Sequence, residues 1–369
     1  MRNEGEALKE VVDGIQYLWR HRKGQIIPAS IHDVIISCWQ KEDFMPLIVK
    51  KKKYQKKWTF IIHLPAGIGY AEFKSKEMLF ADATGGAVVI EKNGKGAIIQ
   101  VLTEQLKECY DYAWDWSEHK AMHLPIPFGY SAMGLIVRDL SEAPNLIVAG
   151  HPGAGKSNFL HVVAVSLLLA RKIHLCIIDL KRLEFSYLKE KALLVTELDK
   201  ASKLLQAINK QIDTRLGLLD SVGVVKVQDY EGDMPFIVLM VDELAEMQDE
   251  KCQTLLNRIL RLGRAVGVCV VCATQRPSSS MFQKFGDSKA MFSASMCFHV
   301  RDEVNSRMVL DNSRASLIPN IKGRAIYQWE IELEIQSMFL PVKQAKELIA
   351  DIKQEVLTCE QSYKRLLPR

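Results

Sequence analysis

Apolar residues recur at helical spacing near the start of the chain, at Ala7, Leu8, Val11, Val12, Ile15 and Leu18, before a break at Gly24 to Pro28. Residues 1–28 therefore read as an amphipathic helix suited to docking on a partner. The next marked feature is Lys50 to Lys57, with six lysines in eight positions, which reads as a solvated turn. Trp58 to Leu64 follows with the β-branched and aromatic content of a strand. Phe73 to Asp82 has helical spacing, and Ala87 to Glu91 and Ala97 to Val101 read as strands flanking the turn residues Asn93 and Gly94. Together these pieces predict a small α/β domain over residues 29–120.

From Leu135 onward the pattern changes to short apolar runs separated by helical stretches, the mark of βαβ units and a mostly parallel sheet. The candidate strands are Asn145 to Val148, His174 to Ile178, Phe236 to Val241, Val268 to Ala273 and Met296 to Val300. A strand pair at Arg324 to Gln328 and Glu332 to Phe339 closes a second domain over residues 121–342. Apolar spacing from Val342 to Leu357 predicts a C-terminal helix within residues 343–369. The expected fold class is α/β throughout.

Composition narrows the function less than the pattern does. Apolar residues at 48% and charged residues at 25% are those of a globular protein, and a net charge of +5 permits a nucleic-acid partner without requiring one. The run from Val162 to Ala170 is about half the ~20 residues a membrane-spanning helix needs, so the expected location is the cytoplasm. The lone CxxC, Cys269 to Cys272, falls inside an apolar run where strand alternation turns the thiols to opposite faces, which disfavours a metal or redox pair.

Candidate chemistry begins at Gly150-His151-Pro152-Gly153-Ala154-Gly155-Lys156-Ser157, which fits GxxxxGK[ST] between an apolar strand and a helical run. In such a loop backbone N–H groups surround phosphate oxygens, Lys156 reaches the β- and γ-phosphates, and the Ser157 hydroxyl ligates Mg²⁺. A carboxylate pair, Asp242-Glu243, stands at the end of a second apolar run. Asp242 is placed to orient Mg²⁺ and Glu243 to polarise the attacking water, so hydrolysis of a nucleotide is expected rather than binding alone. Asn209-Lys210 begins a guanine-reading NKxD pattern, but position 212 is isoleucine, which leaves ATP as the expected nucleotide. Gln275, after the strand ending in Ala273 and Thr274, is the candidate sensor of the γ-phosphate.

These residues resemble the FtsK/SpoIIIE family of DNA-translocating ATPases over about Leu124 to Leu340. A family motif of the type IDPKxxEL is matched by Ile178-Asp179-Leu180-Lys181-Arg182-Leu183-Glu184-Phe185, with leucine in place of the usual proline. Val241 to Met247, Arg264 to Pro277 and Ser306 to Asp311 match three further elements in order. The resemblance implies a RecA-like P-loop domain that assembles into a ring, expected to be a homo-hexamer, and moves double-stranded DNA with weak sequence preference. It makes the segment from Trp58 to Val101 similar to the family's second ring tier. No membrane segment precedes the motor, and the residues after Pro341 are too few for the family's winged-helix module, so direction is not expected to be read from DNA sequence.

By the same resemblance, an arginine from a neighbouring subunit completes each ATP site, with Arg307 and Arg215 as the candidates. Lys181, Arg182 and Ser278 to Lys284 are candidate DNA-contacting loop positions. The expected setting is a plasmid, phage or integrative element, in transfer or segregation. A coupling or secretion ATPase that delivers single-stranded DNA or protein to a membrane channel, with a membrane or transfer-apparatus partner, stays open. So does a nucleotide-gated scaffold that does not hydrolyse.

Overall fold

The computed structural model describes residues 26–39, 45–54, 57–102, 106–171, 173–182, 184–275, 277–278, 281–282 and 288–352. The helix expected from Ala7 to Leu18 lies outside them, as does the C-terminal helix beyond Ile352 and most of the segment from Ser278 to Lys284. The chain divides into two compact units, Met1–Gln105 and Leu106–Arg369.

In the first unit, helix α1 (Ile26–Trp39) begins inside the expected break, with Pro28 in its first turn, where a missing N–H is tolerated. Strands β1 (Leu47–Tyr54) and β2 (Lys57–His63), short helices α2 (Tyr70–Lys74) and α3 (Glu77–Thr84), and strands β3 (Ala87–Asn93) and β4 (Gly96–Leu102) follow. The strands form an antiparallel sheet in the order β1-β2-β4-β3. Ile31, Ile35 and Trp39 of α1 share one core with Phe60, Ile62, Phe73, Phe80 and Ile99. Trp39 stacks on Phe73 with centroids 5.5 Å apart and donates from Nε1 to Glu72 Oε1 at 2.9 Å. The lysine run is not the expected turn. Lys50 to Lys53 lie in β1, exposed on the edge strand, where like charges oppose pairing with another chain.

The second unit opens with strands β5 (Pro125–Ser131) and β6 (Gly134–Asp139), a hairpin whose two prolines and glycine hide it from a strand pattern. It continues with β7 (Asn145–Ala149), α4 (Lys156–Ala170), β8 (His174–Ile178), β9 (Leu193–Val195), α5 (Leu198–Ser221), β10 (Ile237–Val241), α6 (Glu250–Leu262) and β11 (Val268–Thr274). Then come β12 (Ala294–Phe298), α7 (Glu303–Leu310), α8 (Arg314–Leu317), β13 (Arg324–Gln328), β14 (Glu332–Gln336) and α9 (Val342–Ile349).

A ten-stranded sheet has the order β6-β5-β14-β13-β12-β7-β11-β10-β8-β9. The run from β12 to β9 is parallel and the four strands at the other end are antiparallel. Every residue of β7, β10, β11 and β12 is buried, which explains their largely apolar sequences. Cys269 and Cys272 lie within β11, and burial pushes both thiols far above their ordinary range.

Candidate functional site: a phosphate loop facing paired carboxylates

Register fixes the site. Ala149 at the end of β7 pairs with Thr274 of β11, and Val241 at the end of β10 pairs with both Cys272 of β11 and Ile178 of β8. The residues after these strand ends, Gly150, Gln275, Asp242 and Asp179, therefore leave the sheet along one edge. The carboxylate strand is not the immediate neighbour of the loop strand, because β11 lies between them and brings Gln275 out between loop and acids.

The loop Gly150 to Ser157 leads into the N-terminus of α4. Gly155 has φ +115°, and a Cβ there would lie 2.8 Å from Gly323 N and 2.9 Å from its Cα, so only glycine fits. Gly323 N donates to Ala154 O at 2.7 Å, tying the loop to the turn before β13. His151 Nε2 lies 3.1 Å from Asn320 Oδ1 in the same region. Pro152 and Gly153 are exposed at the loop's crest.

Lys156 is buried beside Asp242 and Glu243; burial lowers its ammonium from the ordinary range, and the two acids oppose that. Asp242 shows the converse, its carboxyl pushed up to about 6, first by burial. Lys156 pulls it down, and the charges of Asp179 and Glu184 push it up again. Glu243 is held from two sides: Lys181 Nζ is 3.1 Å from Oε2, and the Gln275 backbone N–H donates to Oε1 at 3.1 Å and Oε2 at 3.2 Å. Lys181, expected among the DNA-contacting positions, is thus turned toward Glu243. Gln275 touches the acid through its backbone, a contact its side-chain chemistry did not foretell.

Asp179 organises the loop after β8. Its carboxylate accepts from the backbone of Arg182 at 2.9 Å, Glu184 at 3.1 Å and Phe185 at 3.4 Å, and Arg182 sits at φ +63°. That turn carries Glu184 to Ser157, whose Oγ donates to Glu184 Oε1 at 3.1 Å. The sequence offered Glu184 only as a letter in a motif; its reach to the loop serine depends on the turn.

The residues fit a divalent cation. Asp242 Oδ1 is buried without a hydrogen-bond partner, and the Ser157 hydroxyl and the Asp242 carboxylate offer oxygen atoms, the donor type Mg²⁺ takes with water and phosphate completing its shell. Ser157 and Asp242 are the residues that would hold it.

The two arginines separate. Arg307 lies exposed on α7, paired with Glu303 one turn away at 2.9 Å. Arg215 on α5 is buried and donates to Val266 O at 2.9 Å and Pro235 O at 2.8 Å, with burial pushing its guanidinium down to about 10. Its head is committed to the backbone before β10 and β11, at the opposite end of those strands from the site. Arg215 is therefore corrected from a candidate shared residue to a structural tie.

Residues 105–235 match the family model described as FtsK/SpoIIIE family. That stretch is similar to the FtsK/SpoIIIE family domain. It is 33% identical over 223 residues to the DNA translocase FtsK of Chlorobaculum tepidum, covering 54% of this chain and 28% of that protein. To the DNA translocase FtsK of Tropheryma whipplei it is 30% identical over 284 residues, covering 69% and 37%. The chain thus spans about a third of the length of the curated relatives it matches. Among solved structures, the pCW3 conjugation coupling protein TcpA, in monomer form with ATPγS, superposes with TM-score 0.62 at 21% identity, over 84% of this chain and 94% of that one. The cytoplasmic domain of the type VII secretion ATPase EccC of Thermomonospora curvata superposes with TM-score 0.55 at 19% identity, over 64% and 32%. These likenesses agree with a RecA-like P-loop fold preceded by a small α/β unit. Among the described residues no helix is long and apolar enough to cross a membrane.

Proposed function

We propose that this chain hydrolyses ATP at the Gly150 to Ser157 loop and uses the cycle to move double-stranded DNA through a cytoplasmic ring of its own copies, six in number. The observation that carries the reading is the convergence of Lys156, Ser157, Asp242, Glu243 and Gln275 on one sheet edge, in a chain related by sequence to DNA translocases. The loop N–H groups and Lys156 bind the phosphates. Mg²⁺, when bound, supplies positive charge to the β- and γ-phosphate oxygens. Glu243, fixed by Lys181 and the Gln275 N–H, takes the proton of the attacking water, while Gln275 lies next to that acid and reports the γ-phosphate. Arg307 of a neighbouring copy stabilises charge during transfer.

DNA is gripped through phosphates at loop positions such as Arg182, so binding is weakly selective and strongly salt-dependent. Transfer or segregation of a plasmid, phage or integrative element is the setting. A second reading draws on the fold likeness to a conjugation coupling protein that spans most of both chains: delivery of single-stranded DNA or protein to a membrane channel. The deciding experiment measures ATP turnover without polymer, with duplex DNA, with single strands and with a protein substrate, at low and moderate salt. Duplex stimulation that fades with salt supports the motor; stimulation by single strands or protein alone replaces it with the second reading. No turnover under any condition leaves the scaffold.

A further inference from the structure

Beyond the expected phosphate and metal groups, a polar chain runs from the loop serine into the protein. Ser157 and His161 lie one turn apart on α4, so their side chains share a face. Glu184 bridges them: Oε1 accepts from Ser157 Oγ at 3.1 Å, and Oε2 stands 3.7 Å from His161 Nε2. His161 is buried, and its Nδ1 is 3.0 Å from the Tyr187 hydroxyl. Burial pushes the Tyr187 phenol well above its ordinary range, so it stays protonated and donates. A carboxylate only accepts, so Nε2 is the ring nitrogen that bears a proton toward Glu184, and Nδ1 is left to accept the hydrogen bond of the Tyr187 hydroxyl. From the other side, Asp179 pins the backbone of Glu184. The carboxylate is thus preset by two independent anchors.

A serine that ligates a cation must turn its lone pairs to the ion and its proton elsewhere. In this arrangement the proton already points away, at Glu184. We propose that Glu184, steadied by His161 and Tyr187, is the positioning residue of the metal site: it accepts the hydrogen bond of the Ser157 hydroxyl and so leaves the oxygen's lone pairs facing the divalent cation that accompanies the nucleotide. This rests on the ATP-site reading. Outer-shell partners of this kind change metal affinity by about 10- to 100-fold when removed. An ordinary tie between a helix and a loop predicts lost stability instead, with no selective effect on metal.

The test uses the full chain with Mn²⁺ as the probe, counting free Mn²⁺ by electron paramagnetic resonance in saturating ADP, with ADP binding in EDTA measured separately. Glu184→Ala should weaken Mn²⁺ about 10-fold or more while ADP affinity in EDTA stays unchanged. Glu184→Gln, which keeps an acceptor for Ser157, should retain most of the Mn²⁺ affinity, and Tyr187→Phe should weaken it slightly. If the alanine variant does not fold, Glu184→Ser, also too short to reach Ser157, takes its place. The decisive comparison is a cycle with Ser157→Ala: once the hydroxyl is gone, removing Glu184 should have no further effect on Mn²⁺. Unchanged Mn²⁺ affinity in Glu184→Ala, an equal loss of ADP affinity in EDTA, a Gln variant as weak as the Ala variant, or additive losses in the cycle would each overturn the proposal. If the wild-type chain with ADP holds Mn²⁺ no better than ADP does alone, the nucleotide-site reading falls with it; if it does and only Glu184→Ala is silent, the inference alone falls.

Discussion

Asp242→Asn should make the nucleotide-free protein more stable at neutral pH, although it removes a residue proposed to hold the metal. Asp242 is buried at the end of a buried strand with one carboxylate oxygen unpartnered. Its carboxyl moves from an ordinary 3.8 up to about 6 in the folded chain, with burial as the main cause. A group that holds its proton more tightly when folded contributes stability below its unfolded value, and that contribution is lost as pH rises through the folded value. The window here runs from 3.8 to about 6. At about 1.4 kcal/mol per unit, ionisation opposes folding by roughly 2–3 kcal/mol once pH exceeds both values. Asparagine cannot ionise and escapes this. For a unit of this size the gain amounts to about 5–10 °C in melting temperature. Near pH 5 it should shrink to about half, because the wild-type folded state is then mostly protonated. Denaturant unfolding in EDTA at about pH 7.5 and about pH 5 provides the assay, and Mg²⁺ with ADP should favour the wild type by binding its folded state. Equal stability at the higher pH, or a gain that ignores pH, would refute the reasoning.

Glu243→Gln should keep ATP binding and lower turnover by about 10² or more, read by nucleotide titration beside phosphate release. Gly155→Ala places a Cβ against the Gly323 backbone at a φ of +115°, so the variant should lose about 1–3 kcal/mol of stability and bind nucleotide poorly, as calorimetry can show. Arg215→Met should lose about 3 kcal/mol through two abandoned carbonyl partners, whereas Arg307→Ala should melt within ~0.5 kcal/mol of the wild type. If the two arginine variants melt alike, the distinction drawn between them is wrong.

The parallel half of the sheet was legible because β7, β8, β10 and β11 are short, unbroken apolar runs with chemistry at their ends. Nothing in a linear pattern marks β5, where Pro125, Pro127 and Gly129 suppress the strand signal, or β9, which is three residues long. Nor does a lysine run announce an edge strand, since lysine is as soluble in a turn as on an edge. The candidate loop and both acids could be picked out from sequence because their spacing is local. Glu184 could not, because its contact with Ser157 spans 27 positions and depends on the turn that Asp179 ties. Arg215 was a candidate by resemblance, and only the packing of α5 shows two backbone carbonyls accepting from its guanidinium.

Those same long-range ties bear on how the loop can respond to phosphate. Its backbone is bonded to the turn before β13 through Gly323 and Ala154, and Asn158, just inside α4, donates to Met338 O at 2.7 Å and accepts from Leu340 N at 2.9 Å. These partners flank the β13–β14 hairpin in the antiparallel half of the sheet. On the other side, Ser157 is bonded to Glu184 in the loop after β8. A shift of the loop by even half an ångström away from either side would stretch bonds of 2.7 to 3.1 Å there and crowd those on the other side, and a hydrogen bond weakens steeply beyond about 3.2 Å. The loop therefore either stays fixed on phosphate binding or carries the β13 turn and the Glu184 turn with it. Glu184→Ala releases one of those anchors and leaves the other, so it separates the two cases: the unchanged metal-free ADP affinity expected for that variant means a fixed loop, and a loss of it would mean a coupled loop and count against a role for Glu184 confined to the metal.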